Sequence, residues 1–288
     1  QGVQFEHSRS GIVFAALTEA AYEQEHALYA QLRASGFPVD FEVLDGDGLR
    51  QREPALSSAV VAGMVSSGEW QVRPESLLAG LADAIRREGG TIHEQVGVAA
   101  IVPDRTSWRV STSTGSIRAD SVVVATGASA PELLRPLGYR LPIEAAKGYS
   151  LTSAGEGIRP VHSIYLLEAK IACSPYADAV RLAGTLELAG IDLSLNRRRL
   201  DAVARAASAY LRWRPGDSCV EWVGLRPFAP DGLPVVGAVP RQRSLFVSTG
   251  HGMSGITLAA VSANLLAQSI IEGSVPPQLV PFSPGRFA

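Results

Sequence analysis

A glycine-rich turn at residues 250–255 has the spacing of a ligand-binding loop. Gly250, Gly252 and Gly255 fit the pattern G-x-G-x-x-G, after the apolar run Leu245–Val247 and before a helical pattern. Glycines let the backbone approach a ligand closely, and the N–H groups at a helix start attract negative charge. No second strand is predicted after Gly255, so a complete βαβ unit cannot form there. The motif predicts a helix N-terminus directed at a ligand, with a turn needed only for packing as the alternative.

Arg226 is a second candidate, because it lies between Leu225 and Pro227 at the end of a predicted strand. A guanidinium group can bind a carboxylate or a phosphate with two parallel hydrogen bonds. The residue therefore predicts an anion-binding position. Taken without the other motifs, a salt bridge to an internal Asp or Glu is the favoured interpretation.

Two further segments are ambiguous from residues alone. Val122–Ala125 is a continuous apolar run that ends in Thr126-Gly127, which fits a strand buried on both faces and ending where α/β sheets bind ligands. A strand that simply ends in a turn fits equally well. In the run around Gly148, we expect Lys147 to be a solvated surface charge and Tyr149 to be a core residue.

Composition excludes several classes of protein. The chain has 288 residues, a formal net charge of −2 and 46% hydrophobic residues, so it can form an ordinary core and has no basic footprint for nucleic acid. The five histidines lack ligand spacing, which predicts no metal site. Two cysteines are too few for a disulfide scaffold, and because Cys173 and Cys219 form no CxxC pair, a redox pair or a zinc knuckle is unsupported. No signal peptide is visible, and Ile256–Ile271 is too short and too polar to span a bilayer.

The elements that must position these residues alternate between helix and strand. Helices are predicted after Thr18, from Pro74 to Gly89, after Asn196, and from Ile256 to Glu272, with an antiparallel excursion between residues 92 and 118. This alternation predicts the α/β class with an antiparallel insertion.

Taken in order, five segments resemble the FAD-dependent D-amino-acid oxidase superfamily. They are Val122–Ala128, Lys147–Thr152, Ala183–Glu187, Gly224–Gly237 and Ser248–Gly255. Within the superfamily the chain is most similar to the small subunit of D-amino-acid dehydrogenases, with glycine and sarcosine oxidases further away. The resemblance covers essentially the whole chain, and its most specific parts are the blocks GLRPFAPDGLPVVG and TGHG.

The resemblance implies an α/β (α+β) fold in which a partial FAD-binding domain accompanies an antiparallel-sheet substrate domain. The implied substrate domain comprises residues 1–72 and 142–222, and the implied FAD-binding domain comprises residues 73–141 and 223–288. The family opens with a βαβ unit that carries a G-x-G-x-x-G turn and an acidic residue for the ribose. That unit is missing here, since Gln1 matches a point well inside the family pattern. We therefore expect a truncated flavoenzyme that binds FAD weakly or not at all.

The resemblance also assigns roles to individual residues. Arg226 would hold the substrate carboxylate, and the catalytic set implied is Arg226, Tyr149 and His251. The residues implied to bind FAD are Val98 at the adenine end, Ala125, Thr126, Gly127, and the run Gly250, His251, Gly252, Met253, Ser254, Gly255, Ile256 and Thr257. In this family a hydride passes from the substrate Cα to flavin, and the imine formed hydrolyses to a 2-oxo acid and ammonia. Such chemistry needs positioning more than a dedicated acid or base.

Alternatives to this interpretation remain open. At residues 168–172 close dehydrogenases carry an aromatic residue before the lysine, whereas this chain has Ala169, so a glycine- or sarcosine-type amine is an alternative to a D-amino acid as substrate. A remnant or interaction module that no longer binds FAD is the alternative to an enzyme. A third hypothesis is that another chain supplies the missing unit, which predicts an exposed apolar sheet edge. We expect a cytoplasmic location or a peripheral one at the inner membrane, with oxygen or a membrane quinone as electron acceptor.

Overall fold

A computed structural model describes residues 2–288, and Gln1 lies outside the described residues. The helices are α1 (Glu19–Ala34), α2 (Gly46–Arg52), α3 (Pro74–Arg87), α4 (Ala130–Leu134), α5 (Arg197–Tyr210) and α6 (Gly255–Glu272). The strands are β1 (His7–Ser8), β2 (Ile12–Ala16), β3 (Glu42–Asp45), β4 (Ala62–Ser66), β5 (Gln71–Val72), β6 (Val98–Asp104), β7 (Ser107–Thr112), β8 (Gly115–Ala119), β9 (Val122–Val124), β10 (Glu144–Ser153), β11 (Glu156–Gly157), β12 (Ser163–Leu166), β13 (Ile171–Pro175), β14 (Val180–Leu188), β15 (Trp213–Arg214), β16 (Val220–Phe228), β17 (Val235–Ala238) and β18 (Leu245–Thr249). The predicted α/β class is confirmed.

Local sequence signals explain where several helices begin. Thr18 caps α1, since its hydroxyl oxygen accepts a hydrogen bond from the N–H of Ala21, and Pro74 occupies the first turn of α3. The run from Asp45 to Gly48, in contrast, resembles a turn in sequence but opens helix α2. The reason is that Asp45 Oδ1 accepts a hydrogen bond of 2.8 Å from the N–H of Gly48, which satisfies an otherwise free helix donor.

The chain divides into two compact units. The first comprises residues 2–91, Gly148–Leu186 and Ser194–Val223, and the second comprises Ile92–Lys147, Glu187–Leu193 and Gly224–Ala288. The chain therefore passes between the units several times. The assignment of one unit to substrate and the other to FAD, with boundaries near residues 72, 141 and 222, stays a prediction.

The first unit is built on an eight-stranded mixed sheet with the order β16-β10-β14-β13-β12-β2-β4-β3. Strands β2 and β12 run parallel, with Val13 opposite Ile164, while β12 and β13 form an antiparallel pair. Helix α5 covers part of this sheet with its predicted apolar face, and its inward side chains are Leu200, Val203, Ala207 and Tyr210. The principal core of the unit lies between these elements.

A buried carboxylate lies inside the first unit. The side chain of Glu53 is fully buried, and its oxygens accept hydrogen bonds from the backbone N–H groups of Ala55, Val161 and His162. Nδ1 of His162 lies 3.1 Å from Oε2 of the same carboxylate. Burial raises the pKa of the Glu53 carboxyl, but these hydrogen bonds outweigh burial and leave the pKa below its ordinary value.

The second unit contains two small sheets. Strands β6, β7 and β8 form the predicted antiparallel excursion, and β17, β18 and β9 form a second sheet in that order. In the second sheet β9 and β18 run parallel, with Val124 opposite Val247. The core of this unit includes Trp108, whose indole N–H donates a hydrogen bond of 2.9 Å to the carbonyl of Arg243.

Strand β9 is buried on one face only, which corrects the expectation of a strand buried on both. Val124 is 2% exposed, whereas Val123 is 41% exposed and Ala125 is exposed as well. The reason is that the face that carries Val123 and Ala125 is left uncovered within residues 2–288. Strand β9 is also an edge strand, because in the described chain it pairs with β18 alone. An exposed sheet edge is what the hypothesis of a unit supplied by another chain predicts.

Helix α6 is apolar and mostly unburied. It has 18 residues, and by length and composition alone it is a candidate membrane span, which corrects the expectation that Ile256–Ile271 is too short and too polar to cross a bilayer. A core helix of a globular protein meets the same criteria. In this structure α6 buries Ser262, Leu266 and Ser269, and Leu266 packs with Val236 of β17 and with Leu279.

Candidate functional site

The glycine-rich turn opens helix α6 as the sequence predicts. Gly250 and Gly252 have positive φ angles of 76° and 53°, which L-residues with side chains rarely adopt. A Cβ atom at Gly252 would also lie 2.9 Å from Cε1 of Phe228, so close packing requires glycine there. Ser254 occupies the N-cap position, and within the described chain its side chain makes no capping hydrogen bond. The first-turn N–H groups of α6 therefore keep donor capacity that a ligand can use.

The block around Arg226 is tied to this turn by the backbone. The N–H of Gly252 donates a hydrogen bond of 2.8 Å to the carbonyl of Pro227, and Phe228 forms a bridge with His251. The structure therefore brings the start of the Gly224–Gly237 block into contact with the glycine-rich turn. Arg226 itself is half-buried at the end of β16, and burial lowers the pKa of its guanidinium group. A cation held where solvation is reduced is suited to binding an anion.

The end of β9 joins the same site. The hydroxyl group of Thr249 donates a hydrogen bond of 2.9 Å to the carbonyl of Gly127, directly after β9 and β18 run side by side. These segments enclose a cleft of about 300 Å³. Its lining is dominated by small side chains and hydroxyl groups, contributed by Ala125, Gly127, Ser248, Thr249, Gly252, Gly255, Ala259, Ser262 and Ala263. The cleft thus offers space beside a helix start, which suits a flat, partly anionic ligand.

His251 lines the cleft next to a residue that the sequence did not single out. Its Nε2 atom lies 3.0 Å from the hydroxyl oxygen of Ser262, which is buried on α6. Burial lowers the pKa of His251, so the ring is neutral in the folded chain at neutral pH. The hydrogen bond to the Ser262 hydroxyl group orients the imidazole ring. Because the ring is neutral, it can contact a ligand without adding a charge to the cleft.

We expect His251 to make stability depend on pH in the direction set by its lowered pKa. Between the folded pKa and the ordinary value of 6.5, the unfolded chain binds more protons, so stability rises with pH through this window. The measurement is urea unfolding as a function of pH, with His251→Gln expected to lose this slope. His93→Gln, at an exposed position, is the matched control and should keep the slope. An unchanged slope in His251→Gln would contradict the expectation.

The structure brings some of the predicted site residues into the cleft and leaves others outside it. Ala125, Gly127, His251, Gly252 and Gly255 line it. Gly250 and Thr126 lie in the adjoining turns, while Met253, Ser254, Ile256 and Thr257 are exposed around the start of α6. Val98, predicted at the adenine end, is exposed on β6. Tyr149 is buried in the core of the first unit, as its interpretation as a core residue predicts.

Lys147 corrects an expectation. The sequence favoured a solvated surface charge, but the side chain is only 2% exposed, and its Nζ atom lies 2.6 Å from Oδ2 of Asp192. Burial of a lysine is tolerated because a carboxylate compensates its charge. The partner comes from the loop after β14, and nothing in the sequence near Lys147 identifies it.

Ser262 and Thr249 are the polar site residues that sequence reasoning missed. Ser262 lies within an otherwise apolar helical stretch, where a hydroxyl group needs a partner if it is buried. That interruption was visible in the sequence, but the partner was not. Among residues 2–288 there is no group of three or more His, Cys, Asp or Glu that could hold a metal ion, and both cysteines are free thiols.

The chain is similar in sequence to a known protein family and to characterised members of it. The chain matches the family described as FAD dependent oxidoreductase over residues 1–269. It is 36% identical over 253 residues to the D-amino acid dehydrogenase of Cereibacter sphaeroides strain ATCC 17023, which covers 85% of this chain and 57% of that protein. It is 33% identical over 284 residues to the D-amino acid dehydrogenase of Methylobacterium radiotolerans, covering 96% of this chain and 67% of that protein.

Among solved structures, the glycine oxidase from Geobacillus kaustophilus has a similar fold. The TM-score is 0.85 at 26% sequence identity, and the match covers 98% of this chain and 76% of that one. In each case the known protein is longer than this chain, which spans little more than half of the Cereibacter relative.

Proposed function

Because this chain belongs to the FAD-dependent oxidoreductase family, we propose that it carries the flavin-facing and substrate-binding part of an enzyme that oxidises the CH–NH2 group of D-amino acids. The observation that carries the proposal is the meeting of three segments at one cleft. The end of β9, the end of β16 and the start of α6 are joined there by backbone pairing and hydrogen bonds. The D-amino acid dehydrogenases among its relatives support the substrate class.

The lining of the cleft fits one end of FAD. Glycine and alanine side chains leave room for a flat ring system, and the donors of the α6 N-terminus favour negative charge on it. A cleft of about 300 Å³ lies at the lower limit of ligand pockets, roughly 300–1,000 Å³, and is small for a whole dinucleotide. We therefore propose that the chain contributes the site for the ring end, and that tight binding needs a phosphate-binding segment in addition.

FAD, when bound, supplies the acceptor for the two electrons that leave the substrate. The residues of this chain contribute binding and orientation. Arg226 is proposed to hold the substrate carboxylate with its fork of N–H donors, which fixes the position of the neighbouring Cα–H bond. His251 lies within hydrogen-bond distance of Ser262 and is neutral, so it is proposed to make a polar contact to the bound ligand without placing a charge beside it. The side chains at the glycine-rich turn are small, so the flavin ring of FAD can lie close to the backbone there.

Reconstitution with FAD tests this proposal. We expect the chain purified without added FAD to carry no stoichiometric flavin, and added FAD to bind only at high concentration, measured by quenching of flavin fluorescence. At saturating FAD, we expect D-alanine to reduce a dye acceptor, with glycine and sarcosine as the comparison substrates. Gly252→Val, which inserts a side chain against Phe228, should abolish both signals.

The outcomes separate the alternatives. A yellow protein with stoichiometric FAD would refute the proposal of weak binding, while leaving the enzyme class intact. FAD binding without oxidation of any of the three amines would contradict the enzymatic proposal and favour an interaction module. Faster oxidation of glycine or sarcosine than of D-alanine would replace the substrate class with the glycine-oxidase type. Production of hydrogen peroxide without the dye would identify oxygen as the acceptor.

A further inference from the structure

An open cavity of about 430 Å³ lies within the first unit. Its lining residues come from four stretches of that unit, residues 6–10, 71–73, 159–161 and 175–177. None of them lines the cleft described above, whose residues belong to the second unit. The volume lies within the range of small-molecule sites, roughly 300–1,000 Å³. The charged groups of the lining indicate which class of molecule the cavity fits.

The lining includes a positive charge whose partners are all neutral. The guanidinium group of Arg159 donates hydrogen bonds to the backbone carbonyls of Tyr176, Ala177 and Ala179, at 3.2 Å for Ala177 and 3.1 Å for Ala179. These carbonyl groups fix the orientation of the guanidinium group without compensating its charge. Because a guanidinium group has five N–H donors, Arg159 keeps donor capacity for an anion.

A second group at the cavity carries a net negative charge. Nη1 of Arg73 lies 3.1 Å from Oε2 of Glu6 and 2.7 Å from Oδ1 of Asp178, so two carboxylates share one guanidinium group. Arg73 and Glu6 line the cavity, and Cζ of Arg73 lies 5.2 Å from the centroid of the Tyr176 ring, which holds the arginine in place. The three charges sum to −1. A carboxylate accepts several hydrogen bonds, so Glu6 can also accept one from an ammonium group.

The positive and the negative group lie close together, because both contact Tyr176. Its carbonyl accepts a hydrogen bond from Arg159, and its ring packs against Arg73. The hydrogen bond from Arg73 lowers the pKa of the Asp178 carboxyl, and the charge of Arg159 lowers this pKa further. Adjacent groups of opposite charge complement the carboxylate and the ammonium group of a free amino acid, which are joined through a single carbon atom.

We propose that this cavity binds a free α-amino acid as its zwitterion. Arg159 would hold the carboxylate, and Glu6 would accept a hydrogen bond from the ammonium group. Pro160, Val161 and Pro175 also line the cavity and would contact a small aliphatic side chain. A zwitterion is favoured over a simple anion or a simple amine, because either of these would leave one of the two charged groups without a complement. This inference does not depend on FAD binding or on the activity proposed above.

Isothermal titration calorimetry of the Arg226→Ala chain without FAD tests the proposal, because this parent chain lacks the arginine proposed above to hold the substrate carboxylate. The probes are D-valine, L-valine, the 2-oxo acid of valine, which lacks the ammonium group, and isobutylamine, which lacks the carboxylate. We expect at least one form of valine to bind at least about tenfold more tightly than either analogue. Adding Arg159→Gln should weaken valine binding by a similar factor.

Glu6→Gln is a second variant that acts on the negative group alone. It keeps an oxygen that can accept the hydrogen bond from the N–H of Ala177 but removes the charge, so valine binding should weaken while binding of the 2-oxo acid should not. Arg198→Gln, at an exposed position on α5, is the matched control for Arg159→Gln and should bind valine like the parent chain. Circular dichroism melting checks that each variant is folded. Absence of valine binding, equal affinity for valine and its 2-oxo acid, or unchanged valine binding in folded Arg159→Gln would overturn the proposal.

Discussion

Replacing Glu53 with alanine is expected to lower the free energy of unfolding by about 3–5 kcal/mol, among the largest effects of any single substitution in the chain. The carboxylate is fully buried and accepts hydrogen bonds from three backbone N–H groups, which belong to Ala55, Val161 and His162. Its removal leaves these donors buried without an acceptor, and each unsatisfied donor costs about 1–3 kcal/mol before relaxation. The measurement is urea unfolding at neutral pH.

The effect of Glu53 should depend on pH in a defined direction. Its folded pKa is lowered below the ordinary value of 4.5, so the stabilisation is fully present above pH 4.5 and is lost as the pH falls through the folded pKa. Glu53→Gln keeps the shape of the side chain but cannot ionise. The difference in stability between wild type and Glu53→Gln should therefore be largest above pH 4.5 and narrow towards lower pH.

Glu23→Gln is the matched control for this experiment, because Glu23 is exposed on α1. It should change stability by less than about 0.5 kcal/mol at any pH. If Glu53→Gln were as stable as the control at neutral pH, the interpretation of the buried carboxylate as the acceptor that joins residues 53–55 to residues 161–162 would be wrong.

The second large effect is expected at Arg226. In the chain reconstituted with saturating FAD, Arg226→Ala should raise KM for D-alanine by roughly 100-fold, corresponding to about 3 kcal/mol for a lost charge-assisted contact to the carboxylate. Arg226→Lys keeps the positive charge but loses the paired geometry, so it should fall between alanine and wild type. The measurement is steady-state reduction of a dye acceptor as a function of D-alanine concentration.

Two comparisons make this prediction specific. D-alaninamide lacks the carboxylate, so Arg226→Ala should change its KM little if the arginine acts on that group. Arg198→Ala, which removes an exposed arginine from α5, should leave KM for D-alanine and KM for D-alaninamide unchanged. An unchanged KM for D-alanine in Arg226→Ala, in a protein that still binds FAD, would remove Arg226 from the substrate site.

Much of the fold was predictable because local signals and tertiary structure agree. Thr18 and Pro74 mark helix starts by the hydrogen bonds and dihedral angles they favour, and the glycines at 250–255 open α6 where the pattern places them. The run from Asp45 to Gly48 has the composition of a turn but opens α2, because aspartate and glycine are common both in turns and at helix starts. Capping geometry, which sequence does not display, decides between them.

The site was predictable as separate pieces but not as an assembly. Gly252 and Pro227 form a hydrogen bond across a loop, and no periodicity in either motif predicts that contact. Ser262 contacts His251, and Lys147 forms an ion pair with Asp192. Neither partner can be identified from the sequence around Ser262 or Lys147. Burial of Val123 was overestimated for a related reason, because an apolar run indicates strand propensity without indicating whether other elements cover both faces of the strand.

The parallel pairing of β9 with β18 has a consequence for the order in which this molecule folds. The pair joins residues 122–124 to residues 245–247, so more than a hundred residues of chain must be closed into a loop before the pair can form. Contacts of such long range form slowly, and on the ribosome they must wait until β18 has left the exit tunnel. Until then Val122–Val124 is an apolar strand in the nascent chain without the neighbour it has in the folded unit. The cleft therefore forms only after β18 has been synthesised.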